Sequence, residues 1–292
     1  MKAPDQYNPT GQCCELDEPY QAPPGYFDQP FWYVYNGDNL TNGQDARNVG
    51  ITTYSGSDFI LRRVAGMDRL CTQFQLRDNL WRLLFDTTQG AYTAGFNDFP
   101  LVPELLYPAS AGITFDLLNV QKVLNSGLSA APLSQIVFQG VRRFQGYKRP
   151  PSYPYWEDEF SYPITFNITT APNSPPVKYA IDIYDFDFEL LRILEVINPG
   201  SGGGLPGDNV ACKIMLYDQV YEQVFSAPVI DDLMMDNSVG YRGIVPVPGI
   251  VYRIGQQIKF DVTSMITPDV GSGGVIPVSV QLKFQGVRRR PC

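Results

Sequence analysis

The sequence predicts an all-β chain of two tandem antiparallel β-sandwich or jelly-roll-like domains, produced by an internal duplication and preceded by an extended N-terminal arm. Three observations predict it. Aromatic residues make up 13% of the chain, with 26 Gly and 25 Pro but only 18% charged residues, a composition that favours strands and turns over long helices. Apolar and polar residues alternate with period two in several short stretches, as in VSVQLKFQG from Val278. The chain also repeats itself, since FQGVRR from Phe138 returns at Phe284, 146 positions later.

The repeat extends well beyond that hexapeptide. DFILRRV from Asp58 aligns with DFELLRI from Asp187 at an offset of 129, and FQLRDNLWRLLFD from Phe74 with IMLYDQVYEQVFS from Ile214 at 140. LVPELLYPASAGITFDL from Leu101 aligns with PVPGIVYRIGQQIKFDV from Pro246 at 145. Four blocks in one order, separated by small gaps, indicate two copies of one fold. The loop NPGSGGGLPG from Asn198 accounts for the first change of offset.

In chain order, residues 1–30 are rich in Pro, Gln, Asn, Asp and Tyr without periodicity, as suits an arm that orders only against a neighbour. Residues 31–146 form the first sandwich. Its closing strand places Ile136, Phe138 and Gly140 on one face. DNLWRLLF and the stretch from Leu117 carry only weak helical patterns. Residues 147–161, with three prolines and several aromatics, read as a stiff linker. Residues 162–292 form the second sandwich, with Val280, Leu282, Phe284 and Gly286 facing inward in its last strand. Gly/Pro turns every ten or so residues suggest about six or seven strands per copy.

Several kinds of chemistry are disfavoured. The chain contains no histidine, which removes the commonest general base and transition-metal ligand. The acids that recur in both copies, Asp58/Asp187, Asp78/Asp218 and Asp116/Asp261, read as each domain's own ion pairs and turn hydrogen bonds. A glycosidase needs two converging carboxylates in one cleft. In IYDFDFEL the carboxylates lie about 6.6 Å apart on one strand face, too far to share a calcium ion unless the strand bends. GSGGGLPG lacks the GK[ST] of a phosphate loop. No cofactor and no metal are expected. A net charge of −8 argues against nucleic acid as a partner, and no apolar run reaches membrane length, so a soluble chain made in the cytoplasm is expected.

The five cysteines, Cys13, Cys14, Cys71, Cys212 and Cys292, show no metal-site spacing and read first as free thiols. Cys13, Cys14 and Cys292, near the chain ends, are the candidates for an interchain disulfide. The basic clusters in this acidic chain hold Arg142, Arg143, Arg288 and Arg289, where the last strand of each copy leaves its sheet. They either pair with acids of their own domain or dock on an acidic patch of a neighbouring subunit. Trp156, Tyr153 and Tyr155 are further interaction candidates in the linker.

Each copy runs as SDFxLRR from Ser57, a PELxYPAxxxIxFDL block from Pro103, and a terminal FxGxRR strand from Phe138. This pattern resembles the β-rich structural proteins of tailed bacteriophages. The resemblance covers residues 50–146 in its clearest form, and the second copy departs from it with PVPGIVYRIGQQ. It implies a non-enzymatic virion component: a capsid decoration, cementing or minor capsid protein, or a neck, collar or tail protein. Its partners would be other virion proteins and further copies of itself. The alternative is a carbohydrate- or receptor-binding module in which Trp81, Trp156, Tyr153 and Tyr155 stack on sugar rings. A histidine-free glycoside hydrolase is the weakest reading.

Overall fold

A computed structural model describes residues 22–37, 39–41, 43–67, 73–78, 80, 82–83, 89–90, 99–120, 135–146, 155–169, 174–199, 212–220, 222–230, 249–265 and 278–291. The first half contains β1 (Tyr26–Asn36), β2 (Ala46–Thr52), β3 (Asp58–Met67), β4 (Gln73–Leu76), β5 (Gln89–Gly90), β6 (Phe99–Tyr107), β7 (Gly112–Leu118) and β8 (Gln135–Gln145). The second contains β9 (Tyr155–Ile168), β10 (Val177–Asp182), β11 (Asp187–Pro199), β12 (Cys212–Leu216), β13 (Val229–Ile230), β14 (Ile250–Tyr252), β15 (Gln257–Ser264) and β16 (Val278–Pro291).

In the first half β1 pairs with β8, β2 with β7, β3 with β6 and β4 with β5, all antiparallel. The half is therefore one long hairpin of eight strands, rolled so that β8 also meets β3 and β7 also meets β4. The result is two four-stranded sheets, β1-β8-β3-β6 and β2-β7-β4-β5. The second half repeats the plan strand for strand, as β14-β11-β16-β9 and β10-β15-β12-β13. Eight strands in two facing sheets with this winding form a jelly roll, and the chain contains two. Among the described residues each half thus has eight strands where six or seven are expected, because the two-residue strands β5 and β13 carry too little pattern to be read from sequence.

The aligned blocks occupy equivalent positions in the two cores. Phe59 and Phe188, Leu61 and Leu190, Leu76 and Leu216, Tyr107 and Tyr252, Phe115 and Phe260, and Phe138 and Phe284 are all buried. Burying a side chain of this size contributes about 1.5–3 kcal/mol, so the paired aromatics dominate both cores. Gly140 and Gly286 explain why FQG is retained. Each lies opposite a β-bulge, between Leu61 and Arg63 in β3 and between Leu190 and Arg192 in β11. A Cβ at Gly140 would sit 2.0 Å from the Ile60 carbonyl oxygen, and one at Gly286 1.9 Å from that of Glu189. Only glycine fits.

The recurring acids hold turns. Asp78 Oδ1 accepts from the N–H groups of Leu80 and Arg82 at 2.9 and 2.8 Å, and Asp218 Oδ1 accepts from those of Val220 and Glu222 at 2.9 and 2.9 Å. Asp58 and Asp187 each accept one backbone N–H, of Ala109 and Ile254, at 3.0 Å. Beside the first pair, the buried Tyr107 and Tyr252 hydroxyls donate to the carbonyls of Arg77 and Tyr217, both at 2.7 Å. The turn at Asp78 replaces the weak helical pattern of DNLWRLLF over the residues described there. Leu117 and Leu118 belong to β7, and the rest of that second helical stretch, from Gln121, lies outside the described residues.

Two boundaries differ from expectation. β1 begins at Tyr26, inside the expected arm, and β9 at Tyr155, inside the expected linker. In β9 the acids are strand residues that face basic ones across the ladder: Glu157 lies opposite Arg289 and Asp158 opposite Arg288. The halves also differ in their outward surfaces. β8 is buried on both faces, with Val137 and Val141 inaccessible on the side away from its own core. In β16 the equivalent residues are Lys283, exposed, and Val287, half-buried.

Candidate functional site: the joint between the jelly rolls

The twin arginines sit at the ends of β8 and β16, where each strand passes the first strand of its half. Arg143 is opposite Asp28 in the β1 ladder and makes a two-pronged ion pair with it at 2.8 and 2.8 Å. The Asp28 side chain is only 1% exposed. At the equivalent place Arg289 reaches Glu157 of β9 at 3.2 Å and also Glu189 of β11. The other member of each pair lies over an aromatic ring. The Arg142 guanidinium stands 5.2 Å from the Phe31 ring centroid, 4.8 Å from that of Tyr54 and 4.8 Å from that of Phe144, and its Nε donates to Ser57 Oγ at 3.0 Å. Arg288 stands 3.8 Å from the Phe160 centroid. Cation–π contact of this kind keeps the charge satisfied in partly buried sites.

These contacts extend the repeat backwards. Asp28, Phe31 and Tyr33 of β1 correspond to Glu157, Phe160 and Tyr162 of β9, at the same offset of 129 that relates Asp58 to Asp187. Sequence reasoning missed this block, although carrying that offset upstream sets DQPFWY against EDEFSY. Arg290 adds an ion pair with Asp158 in the second half alone.

One arginine reaches across the molecule. Arg142 Nη1 lies 4.0 Å from Glu222, on the turn between β12 and β13. That turn forms the joint. The edge strand β1 donates its Trp32 N–H to the Val224 carbonyl at 3.0 Å, and the Ser226 N–H donates to the Trp32 carbonyl at 2.9 Å, a parallel bridge that adds the turn to the sheet edge. The Val34 N–H donates to Ser226 Oγ at 2.8 Å. The Trp32 and Phe225 rings stack with centroids 4.5 Å apart. Gln29 Nε2 donates to Asp218, and Gln135 Nε2 donates to the Pro228 carbonyl at 3.0 Å. Trp32, Val34 and Val137 of the first half consequently belong to the second half's hydrophobic core.

The ionisable groups of the turns are tuned by their surroundings. Burial pushes the Tyr252 hydroxyl well above its ordinary pKa and raises that of Tyr107 in the same way, with the nearby aspartates adding to the effect. At Asp78 partial desolvation opposes ionisation. The N–H groups of Arg82 and Leu80 and the Arg82 guanidinium outweigh it, and the pKa lies below the ordinary aspartate value.

Other expected site residues fall elsewhere. Trp156 and Tyr155 are strand residues of β9 whose side chains are not described, and Tyr153, Trp81, Cys71, Cys13, Cys14 and Cys292 lie outside the described residues. Cys212 is a buried cysteine of β12. Among the described residues no three His, Cys, Asp or Glu side chains are grouped to hold a metal ion. Glu189 of the acidic stretch is engaged with Arg289. No helix among the described residues is long and apolar enough to cross a membrane.

The chain is similar to viral capsid structures. One is the atomic structure of Sulfolobus Turreted Icosahedral Virus, at 12% identity and a TM-score of 0.25, covering 89% of this chain and 90% of that one. A second is the STIV MCP, at 11% and 0.24 with 87% and 96% covered. A third is the major capsid protein P2 from bacteriophage PM2, at 9% and 0.22 with 89% and 98% covered. No protein-family model and no curated protein matches the chain.

Proposed function

We propose that the protein is a non-enzymatic structural subunit of a virus particle, acting by multivalent protein–protein docking. The observation that carries this reading is the joint: one jelly roll caps the edge strand of another identical in plan, through two backbone hydrogen bonds and a stacked aromatic pair. The jelly roll is a recurrent fold of viral capsids, so the step from fold to role is an argument by analogy. The site adds to it, because the recurring acids and arginines are spent on turns, ladders and ring contacts that make two rigid, similar blocks. Within a particle the role extends to decoration or cementing of a capsid, or to a neck, collar or tail position in a tailed bacteriophage. The partners are then other virion proteins and further copies of this chain, brought together in the host cytoplasm.

Tyr153, Tyr155 and Trp156 are the docking candidates on that reading, since Arg142, Arg143, Arg288 and Arg289 are engaged within the chain. Cys13, Cys14 and Cys292 are the candidates for crosslinking subunits. Non-reducing mass spectrometry of intact particles tests both, with this chain expected as a stoichiometric component and its terminal cysteines in mixed disulfides. Particles that lack the chain overturn the reading.

A further inference from the structure

Each half has an edge strand, β1 or β9, and an aspartate-held turn, at Asp78 or at Asp218. Two edges and two turns allow four pairings, and the joint is one of them, β1 with the Asp218 turn. The ladders set both edges in the same register. Trp32 lies opposite Gln139 as Ser161 lies opposite Gln285, and Gln29 lies opposite Arg142 as Asp158 lies opposite Arg288. Ser161 therefore turns its backbone groups outward as Trp32 does, and among the described residues no strand pairs with the outer side of β9. The backbone does not distinguish the edges, so the choice falls to side chains.

We infer that the joint is selective: Arg82 on the Asp78 turn, Asp158, Ser161 and Pro163 on β9 and Lys283 beside it bar the other three pairings, so copies of this chain do not join by repeating their internal contact. Two members of the contact are the same in both halves, while their partners have changed. Arg142 recurs as Arg288, and Asp218 as Asp78. In the joint Arg142 lies 4.0 Å from Glu222, and Asp218 accepts from Gln29. At the offsets of the repeat, Arg82 stands in place of Glu222 and Asp158 in place of Gln29. The Asp78 turn would bring a guanidinium against an arginine on either edge, and β9 would bring a carboxylate against the aspartate of either turn. Like charges meet in all three pairings. Each barring group is also held within its own half, Arg82 by Asp78 at 2.7 Å and Asp158 by Arg290.

The apolar part of the contact is missing from β9 as well. Trp32, whose ring stacks on Phe225, gives way to Ser161. Val34, whose N–H donates to Ser226 Oγ, gives way to Pro163, which has no N–H. Val137, a member of the second half's core, gives way to the exposed Lys283 of the neighbouring strand. A turn docked there would bury an ammonium group where the joint buries a valine. The ring and the donor carry most of the difference, because the charges lie at a solvated rim. They decide against the Asp218 turn on β9, where Arg288 would still attract Glu222. The charges decide against the Asp78 turn, which Arg82 sets against both edges. A head-to-tail contact repeated between copies grows into a filament unless its rotation closes, and these substitutions end the series at two jelly rolls.

The inference rests on the geometry of the joint and goes beyond the virion reading, so its failure leaves that reading untouched. In the full-length chain a photoreactive benzoylphenylalanine at position 83, mixed with isotope-labelled chain at about 100 µM, is expected to give no crosslink to residues 157–165 of another copy. A chain carrying Asp158→Gln, Ser161→Trp, Pro163→Val and Lys283→Val together with Arg82→Glu is expected to gain that crosslink and to associate about tenfold or more tightly in sedimentation. With the same rebuilt edge and Arg82 retained, association is expected to fall about tenfold, and the gap to close as the screening length shortens to about 3 Å in 1 M salt. A rebuilt edge that associates no better than the unaltered chain while its melt stays cooperative overturns the inference. So does equal association with and without Arg82→Glu, since bare apolar surface would then suffice. Should the rebuilt edge fail to fold, the unaltered chain still decides, because crosslinks from position 83 to β9 of another copy overturn the inference and their absence supports it.

Discussion

Gly140→Ala and Gly286→Ala each place a methyl group within about 2 Å of a backbone carbonyl that the opposing bulge holds in place, at 2.0 and 1.9 Å. Overpacking against backbone typically costs 1–3 kcal/mol, and here the expected loss is about 3 kcal/mol or more. Denaturant midpoints check it, with Gly50→Ala as a reference, since a Cβ there meets nothing within 4 Å. Arg143→Met is expected to cost about 3–5 kcal/mol, because it strips the main cation from a carboxylate that is 1% exposed. Removing Asp28 as well is expected to recover part of that loss, and a double-mutant cycle measures the coupling.

At the scale of the element, the tyrosine hydroxyls bonded to the turn carbonyls are predicted to make the protein alkali-sensitive. A raised folded pKa means that stability is complete below the unfolded tyrosine value of 10.0 and falls as pH rises beyond it. Thermal melts between pH 8 and 12 should show that decline, and Tyr252→Phe should flatten it while costing about 1–3 kcal/mol at neutral pH through the orphaned Tyr217 carbonyl. The depressed Asp78 pKa works in the opposite direction. Its contribution is present above the ordinary value of 3.8 and is lost as pH falls below it.

The same elements show what a sequence can disclose. β16 alternates because one of its faces meets water, and its inward residues can be named in advance. β8 shares its last residues but is buried on both faces, so Val137 and Val141 erase the alternation. β9 is hidden differently, since its first residues follow Pro150, Pro151 and Pro154 and bring Tyr155 and Trp156, which read as linker until the strand opposite them is seen. The joint itself is not legible, because it depends on how two halves meet. Trp32 and Phe225, which form it, lie 193 positions apart.

For the molecule as a whole, the joint predicts that the two jelly rolls melt as one unit. Trp32→Ala removes a ring shared with the other half's core, with an expected cost of about 3–5 kcal/mol. Calorimetry is expected to show a single transition in the unaltered chain and two in the variant. A single transition in both would mean that the halves are coupled by some other contact.

The edge of β1, which is capped by the second half, has a further consequence for biosynthesis. The first jelly roll leaves the ribosome before Val224, Phe225 and Ser226 exist, with Trp32, Val34 and Val137 bare around an open strand edge. At about 5–20 residues per second the interval before the capping turn emerges is on the order of ten seconds. Throughout that time the nascent chain offers neighbouring nascent chains a template for strand addition. Newly made protein is therefore most exposed to misassembly while its own second half is still being translated.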